Sequence, residues 1–224
     1  MQRGLQAGSY HLKMKILFED GGIIVCVKPC GLLSQSGEAD NMITRLEETT
    51  GGCVYPLHRL DREVGGVMAF AKTKPAAAAL SRDIAERRFE KEYLAVVHGI
   101  PQPENGVFRD LLFRDSRRNK VYTVSRMRKG VREAELCYRI IETKDEYSLV
   151  SAVLKTGRTH QIRVQFASRG MPLAGDRKYG ARDDFKSIGL WSYRLEFENP
   201  ATKERQEFKA LPENFIRDYF NMNM

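Results

Sequence analysis

The sequence predicts an α+β fold built on a mixed, mostly antiparallel sheet flanked by helices. Short runs rich in branched and aromatic residues recur along the chain and outnumber its helical patterns. Strand and helix patterns do not alternate regularly, which disfavours a doubly wound parallel sheet. The chain also lacks G-x-G-x-x-G and any phosphate-loop sequence, the usual marks of a nucleotide-binding sheet.

Ile16 to Glu19 and Ile23 to Val27 read as two strands about a turn at Asp20-Gly21-Gly22, because apolar branched runs flank a turn signal. Lys28-Pro29-Cys30-Gly31 ends the second strand. Between Asn41 and Thr49, the residues Met42, Ile43 and Leu46 fall at helical spacing, and Gly51-Gly52 stops that helix. Val67 to Lys72 reads as a buried strand. A second helix follows, with Thr73 as cap and Pro75 in its first turn, running through Ala76 to Ala79, Leu80, Ile84 and Ala85 and packing through its alanines. Lys91 to Val97 is a strand, and Gly99 to Asn105, with Pro101 and Pro103, is a loop.

Farther on, Lys120 to Val124, Ala134 to Glu142 and Ser148 to Leu154 read as an antiparallel meander. Thr159 to Ser168 reads as a basic amphipathic helix with Ile162, Val164 and Phe166 inward and a stop at Gly170. Leu190 to Phe197 and Gln206 to Ala210 are strands, and Glu213 to Phe220 is a last helix. No internal repeat or low-complexity tract interrupts this order.

A 42% hydrophobic content in 224 residues suffices for a core without staples, and the expectation is one domain, residues 1–224, with its first strand from about residue 15. Lysine and arginine number 37 against 29 acids, giving +8 spread along the chain, which points to a polyanionic partner. No stretch approaches the roughly 18 to 20 apolar residues of a membrane-spanning helix. Met1 to Lys15 lacks the apolar centre of a secretory signal, so the chain is placed in the cytoplasm with Cys26, Cys30, Cys53 and Cys137 reduced. Cys26 and Cys30 have no second pair at zinc-finger spacing, and no metal is expected.

The candidate for chemistry is Asp61 in Leu57-His58-Arg59-Leu60-Asp61, flanked by cations and leading into the apolar run Val67 to Phe70. A carboxylate nucleophile must be ionised, and a site that excludes water raises its pKa unless a cation compensates. Arg59, Arg62, Arg158 and Arg163 are the candidate compensators. His58 reads as a base or as a structural ring, and the structural reading is favoured. Arg158 suits a phosphate, since a guanidinium fork matches one. The run Arg114 to Lys120, with Arg117 and Arg118, and the later Arg126, Arg128, Lys129 and Arg132, has no apolar periodicity and more cations than local acids can pair, so it reads as a surface for a polyanion backbone.

Pro56-Leu57-His58-Arg59-Leu60-Asp61, Phe70-Ala71-Lys72, Lys91 to Gly99, Gly157 to Arg163 and Pro172 to Gly180, together with Val27-Lys28-Pro29-x-Gly31, resemble in kind and order the motifs of the RluA-type RNA pseudouridine synthases. The resemblance spans roughly residues 15 to 215. It implies the pseudouridine synthase-like fold with a central cleft, no cofactor, RNA (ribosomal or transfer) as partner, and a monomer. It further implies Asp61 as the catalytic aspartate, Tyr93 as the aromatic stacked on the target uracil, and Arg163 as the partner that orients Asp61. Arg59 matches an arginine that fills the gap left by a flipped nucleotide. Arg62, His58, Arg158, His160, Arg117, Arg118, Lys120, Arg128 and Lys129 complete the expected RNA contacts.

One departure is visible. Relatives commonly carry Thr-Ser-Gly starting three places after the aspartate, whereas this chain has Val64-Gly65-Gly66. No room is expected before the first strand for the small N-terminal RNA-binding domain of many relatives. Two alternatives stand beside the enzyme: a catalytically inactive RNA-binding module of the same fold, and a glycoside-hydrolase pair of Asp61 with Glu63.

Overall fold

The computed structural model describes residues 14–222, so most of the Met1 to Lys15 segment lies outside the described residues. Its strands join in one sheet of order β1-β2-β4-β10-β5-β9-β8-β6-β7, with β3 added beside β4 and β11 beside β10. These are β1 (Ile16–Glu19), β2 (Ile23–Lys28), β3 (Tyr55–Pro56), β4 (Gly65–Ala71), β5 (Glu90–His98), β6 (Asn105–Asp115), β7 (Lys120–Val124), β8 (Val131–Lys144), β9 (Tyr147–Leu154), β10 (Leu190–Glu198) and β11 (Arg205–Lys209). Every pairing is antiparallel except β4 with β10, which meet in parallel at Gly65 and Gly66.

Helices cover both faces. α1 (Met42–Thr50) and α3 (Gln161–Ala167) pack on one side through Met42, Leu46, Ile162 and Phe166. α2 (Lys74–Ala85) and α4 (Phe215–Tyr219) pack on the other through Ala76, Leu80 and Ile216. This explains the unbroken apolar runs of β2 and β4: Ile24, Cys26, Met68 and Phe70 face one layer while Ile23, Val25, Val67 and Ala69 face the other.

The expected hairpin, caps and terminal strands are present. Asp20 closes the first turn by accepting from the Gly22 and Ile23 amides at 2.7 and 2.8 Å. Asn41 caps α1, Gly51 ends it at φ 69°, and Thr73 caps α2.

Two expectations need correction. The meander does not exist as drawn, because β6, which went unread as a strand, lies between β7 and β8 and pairs with both. The helix near Thr159 is shorter and is not amphipathic, since Gln161 to Phe166 are all buried. Its one arginine points into the protein, where ion partners await it, so the cation does not mark a solvent face.

Candidate active site

Asp61 sits in the loop between β3 and β4, and the backbone around it is pinned from two sides. Ser34 Oγ donates to the Leu60 carbonyl at 2.7 Å and accepts from the Leu60 amide at 3.0 Å. The Arg62 carbonyl accepts from the Gly31 amide at 2.8 Å and from Lys28 Nζ at 3.1 Å. Lys28 is fully buried and also donates to the carbonyls of Pro29 and Leu32. Burial pulls its ammonium down to about 8, against the opposing pull of Cys30, Asp61 and Glu63. Lys28 and Ser34 were not among the expected site residues. The Lys-Pro-x-Gly pattern was the available signal for the first; nothing in the sequence singles out the second.

Arg163 on α3 reaches Asp61 through Nη1 to Oδ2 at 2.7 Å. Its Nε and Nη2 are both taken by Asp176, at 2.7 and 2.9 Å, in a two-pronged pair. Burial works against the charged form of Arg163, but hydrogen bonds and charge from Asp176 and then Asp61 raise its pKa above the ordinary value. Asp176 precedes a single 3-10 turn, Arg177–Tyr179, that carries Tyr179 under the Arg163 guanidinium, 5.2 Å from the ring centroid. Neither Asp176 nor Tyr179 was expected as a site residue, although both fall in the motif Pro172 to Gly180.

Tyr179 also organises His160. Its hydroxyl accepts from the Val121 amide at 2.9 Å, which leaves its own proton for His160 Nδ1, also at 2.9 Å. The ring hydrogen of neutral His160 then sits on Nε2, which faces Asp61 Oδ2 at 3.6 Å. Burial lowers the His160 pKa, Asp61 opposes this, and Arg163 and Lys178 reinforce it. His160 takes the left-handed backbone region at φ 52°, an uncommon conformation for a residue other than glycine, and this positions the ring at the start of α3.

Tyr93 projects from β5 into the same place. It is 6% exposed, and burial raises its phenol pKa well above the ordinary value, with a hydrogen bond to Ser192 opposing and Asp61 adding to the rise. The parallel meeting of β4 and β10 brings Ser192 close: Gly66, at φ 120°, lies against the Ser192 backbone where a Cβ would come within 2.2 Å of its oxygen. Gly65 is as constrained, since a Cβ there would stand 2.5 Å from Trp191.

Asp61, Tyr93, His160 and Arg163, with Arg59 and Leu60, line a recess of about 60 Å³ that opens from a cleft of about 990 Å³. Cations dominate the cleft: Arg59, Arg87, Lys91, Arg114, Lys155 and Arg158 line it, with Lys178. Of the expected compensators, only Arg163 bonds Asp61. Arg62 pairs with Glu38 instead, and Arg158 Nε donates to the Glu133 carbonyl at 2.8 Å.

The other expected contacts are spread. His58 is half-buried in the wall of the cleft: its Nε2 accepts from the Ala69 amide at 3.3 Å, and its Nδ1 is buried. Arg117 and Arg118 are exposed on the β6–β7 turn, where Asp115 accepts from both their amides. Lys120 lies 5.3 Å from the Tyr179 ring centroid, and Arg128 lies 5.0 Å from that of Phe113, beside exposed Lys129. Among the described residues, no group of three or more His, Cys, Asp or Glu side chains is arranged to hold a metal ion, and no helix is long and apolar enough to cross a membrane.

Comparison with known proteins gives a consistent result. The family model described as RNA pseudouridylate synthase matches residues 22–168. An uncharacterized RNA pseudouridine synthase of Bacillus subtilis, YlyB, is 32% identical over 91% of this chain and 71% of its own length. Ribosomal large subunit pseudouridine synthase D of Haemophilus influenzae is 33% identical over 92% of this chain and 70% of its own. Among solved structures, human RNA Pseudouridylate Synthase Domain Containing 4 shares the fold, with a TM-score of 0.77 at 23% identity, covering 94% of each chain.

Proposed function

This chain belongs to the RNA pseudouridylate synthase family, and on that premise we propose that Asp61 is the carboxylate with which it isomerises uridine in large-subunit ribosomal RNA. The enzyme class is that of an RNA pseudouridine synthase, an isomerase. The observation that supports the assignment to Asp61 is the recess in which Asp61, Tyr93 and Arg163 converge, although Asp61 and Arg163 are 102 positions apart.

A stacked uridine hides both its C5 and its glycosidic carbon, so the nucleotide must leave the helix to react. The Tyr93 ring offers the extruded uracil a stacking face, worth roughly 1–3 kcal/mol. Arg59, exposed at the mouth of the recess, takes the gap that the nucleotide leaves. Arg163 holds Asp61 by Oδ2 alone; among the described residues nothing bonds Oδ1, which turns to the substrate. From there the N1–C1′ bond breaks, the uracil turns, and C5 bonds to C1′ as its hydrogen leaves and N1 gains a proton. The ionised carboxylate serves this sequence as a nucleophile or by taking a ribose proton, and no cofactor is consumed. Arg62, Arg158, Arg117, Arg118, Lys120, Arg128 and Lys129 grip the RNA backbone around the cleft. His58, half-buried in the wall, supports the loop before Asp61. The protein works as a monomer in the cytoplasm, and the cationic cleft beside Asp61 contributes to RNA recognition.

Release of tritium from C5-labelled uridine tests this directly, using large-subunit ribosomal RNA from cells that lack the gene. Wild type releases it; Asp61→Asn binds the RNA but releases none. Release by that variant removes Asp61 from its role. Binding without release by wild type, on ribosomal and transfer RNA alike, supports an inactive RNA-binding module instead.

A further inference from the structure

Among the described residues two lysines are buried, and they are treated differently. Lys28 has three carbonyl acceptors for its ammonium. Lys91, 7% exposed on β5, has none: among the described residues no hydrogen bond or ion pair reaches its Nζ, and its one specific neighbour is the Phe89 ring, 5.4 Å away. The acids on either side of it in sequence are unavailable. Strand alternation turns Glu90 and Glu92 to the opposite face, where Arg194 engages both. His58, whose charged form Lys91 opposes, is uncharged, its pKa lowered to about 3 first by burial and then by Lys91.

A buried cation without a partner is costly, so its retention calls for an anion that arrives from outside. Lys91 lines the large cleft, as do Tyr93, two residues on, and the exposed Arg87 on the same side of the chain. Two residues of strand span about 7 Å, comparable with the reach from a base to the phosphate of its own or a neighbouring nucleotide. Burial also lowers the Lys91 pKa, as expected of an ammonium whose counter-charge is missing.

We propose that Lys91 anchors a phosphodiester subsite in the cleft, pairing with a backbone phosphate of the RNA strand next to the nucleotide held at Tyr93. This rests on the RNA-modifying reading above and adds to it a specific contact. The pairing forms only in the complex, so free protein bears the cost of the unpaired ammonium and RNA relieves it.

Lys91→Met and Lys91→Arg, compared with wild type on unmodified large-subunit ribosomal RNA transcripts, test the proposal through affinity, its salt dependence and thermal stability. Lys91→Met should bind about tenfold more weakly, with the slope of log affinity against log salt shallower by about 0.7 to 0.9, the signature of one lost phosphate contact. Without RNA its melting temperature should equal or exceed that of wild type, because methionine fills the site without a charge. Lys91→Arg should restore affinity and slope. Unchanged affinity and slope in Lys91→Met overturn the subsite, as does a lower melting temperature with no rescue by arginine, which marks a purely structural lysine. Tritium release by wild type is scored separately: RNA that is bound but not isomerised defeats the reaction, and the slope comparison still decides the subsite.

Discussion

Arg163 is gripped by Asp176 through two nitrogens and gives only its third to Asp61. The Arg163–Asp176 pair is almost wholly enclosed, with side chains 4% and 0% exposed, whereas Asp61 is 25% exposed at the floor of the recess. Asp176 is therefore the structural counter-ion, and Asp61 is the carboxylate left accessible. Removing one partner of a buried pair costs about 3–5 kcal/mol, because the other charge stays buried without compensation. Asp176→Asn should lose stability on this scale in urea unfolding, while Asp61→Asn, nearer to solvent, should lose far less. Equal losses would contradict this division of roles.

Tyr179 joins the Val121 amide to His160 Nδ1 and so fixes which nitrogen of His160 carries hydrogen toward Asp61. Tyr179→Phe leaves the ring under Arg163 but deletes that link. A neutral hydrogen bond contributes about 1 kcal/mol, a factor of about five in rate if it acts in the transition state. The expected result is a several-fold drop in the single-turnover rate at saturating RNA, with little change in RNA affinity. A change confined to affinity would mean that His160 touches RNA and does not act through Asp61.

His58 gives the fold a pH dependence whose sign is fixed by its burial. Its folded pKa is lowered to about 3, against an ordinary value of about 6.5. Below about 6.5 the unfolded chain binds a proton that the folded chain refuses, so stability is lost as pH falls through that value. The slope approaches about 1.4 kcal/mol per pH unit. Urea midpoints of wild type should fall between pH 6.5 and 5, and less steeply in His58→Gln, which keeps an acceptor for the Ala69 amide but does not titrate. Parallel curves for the two proteins would exclude the ring as the source.

The strands that the sequence hides are those whose polar residues are satisfied inside. In β6, Phe108 and Leu112 are buried four positions apart, and between them Asp110 bonds Gln165 and Arg169. That breaks the apolar alternation by which a strand is read. Arg163 escaped a periodicity argument for the same reason: its burial depends on Asp176, thirteen residues on; charge alone made it one of four candidate compensators of Asp61, and the motif resemblance singled it out. The caps at Asn41 and Thr73 were legible because their partners are local. The Val64-Gly65-Gly66 departure was visible but not interpretable from sequence. The Trp191 ring occupies the space that a side chain at position 65 would need.

The exposed cations after β7 differ from those in the cleft in having no part in the Asp61 constellation. Arg128 lies against the Phe113 ring and is held there, while neighbouring Lys129 is exposed. If this loop tracks the phosphate backbone, each cation contributes to affinity through released counterions. Lys129→Ala should weaken RNA binding with a salt slope shallower by up to about 0.9, for target and non-target RNA alike, since a phosphate contact reads no base. The measurement is filter retention of both RNAs across a salt series. Identical slopes for variant and wild type would place this loop off the RNA, and a loss confined to the target RNA would assign it to sequence recognition.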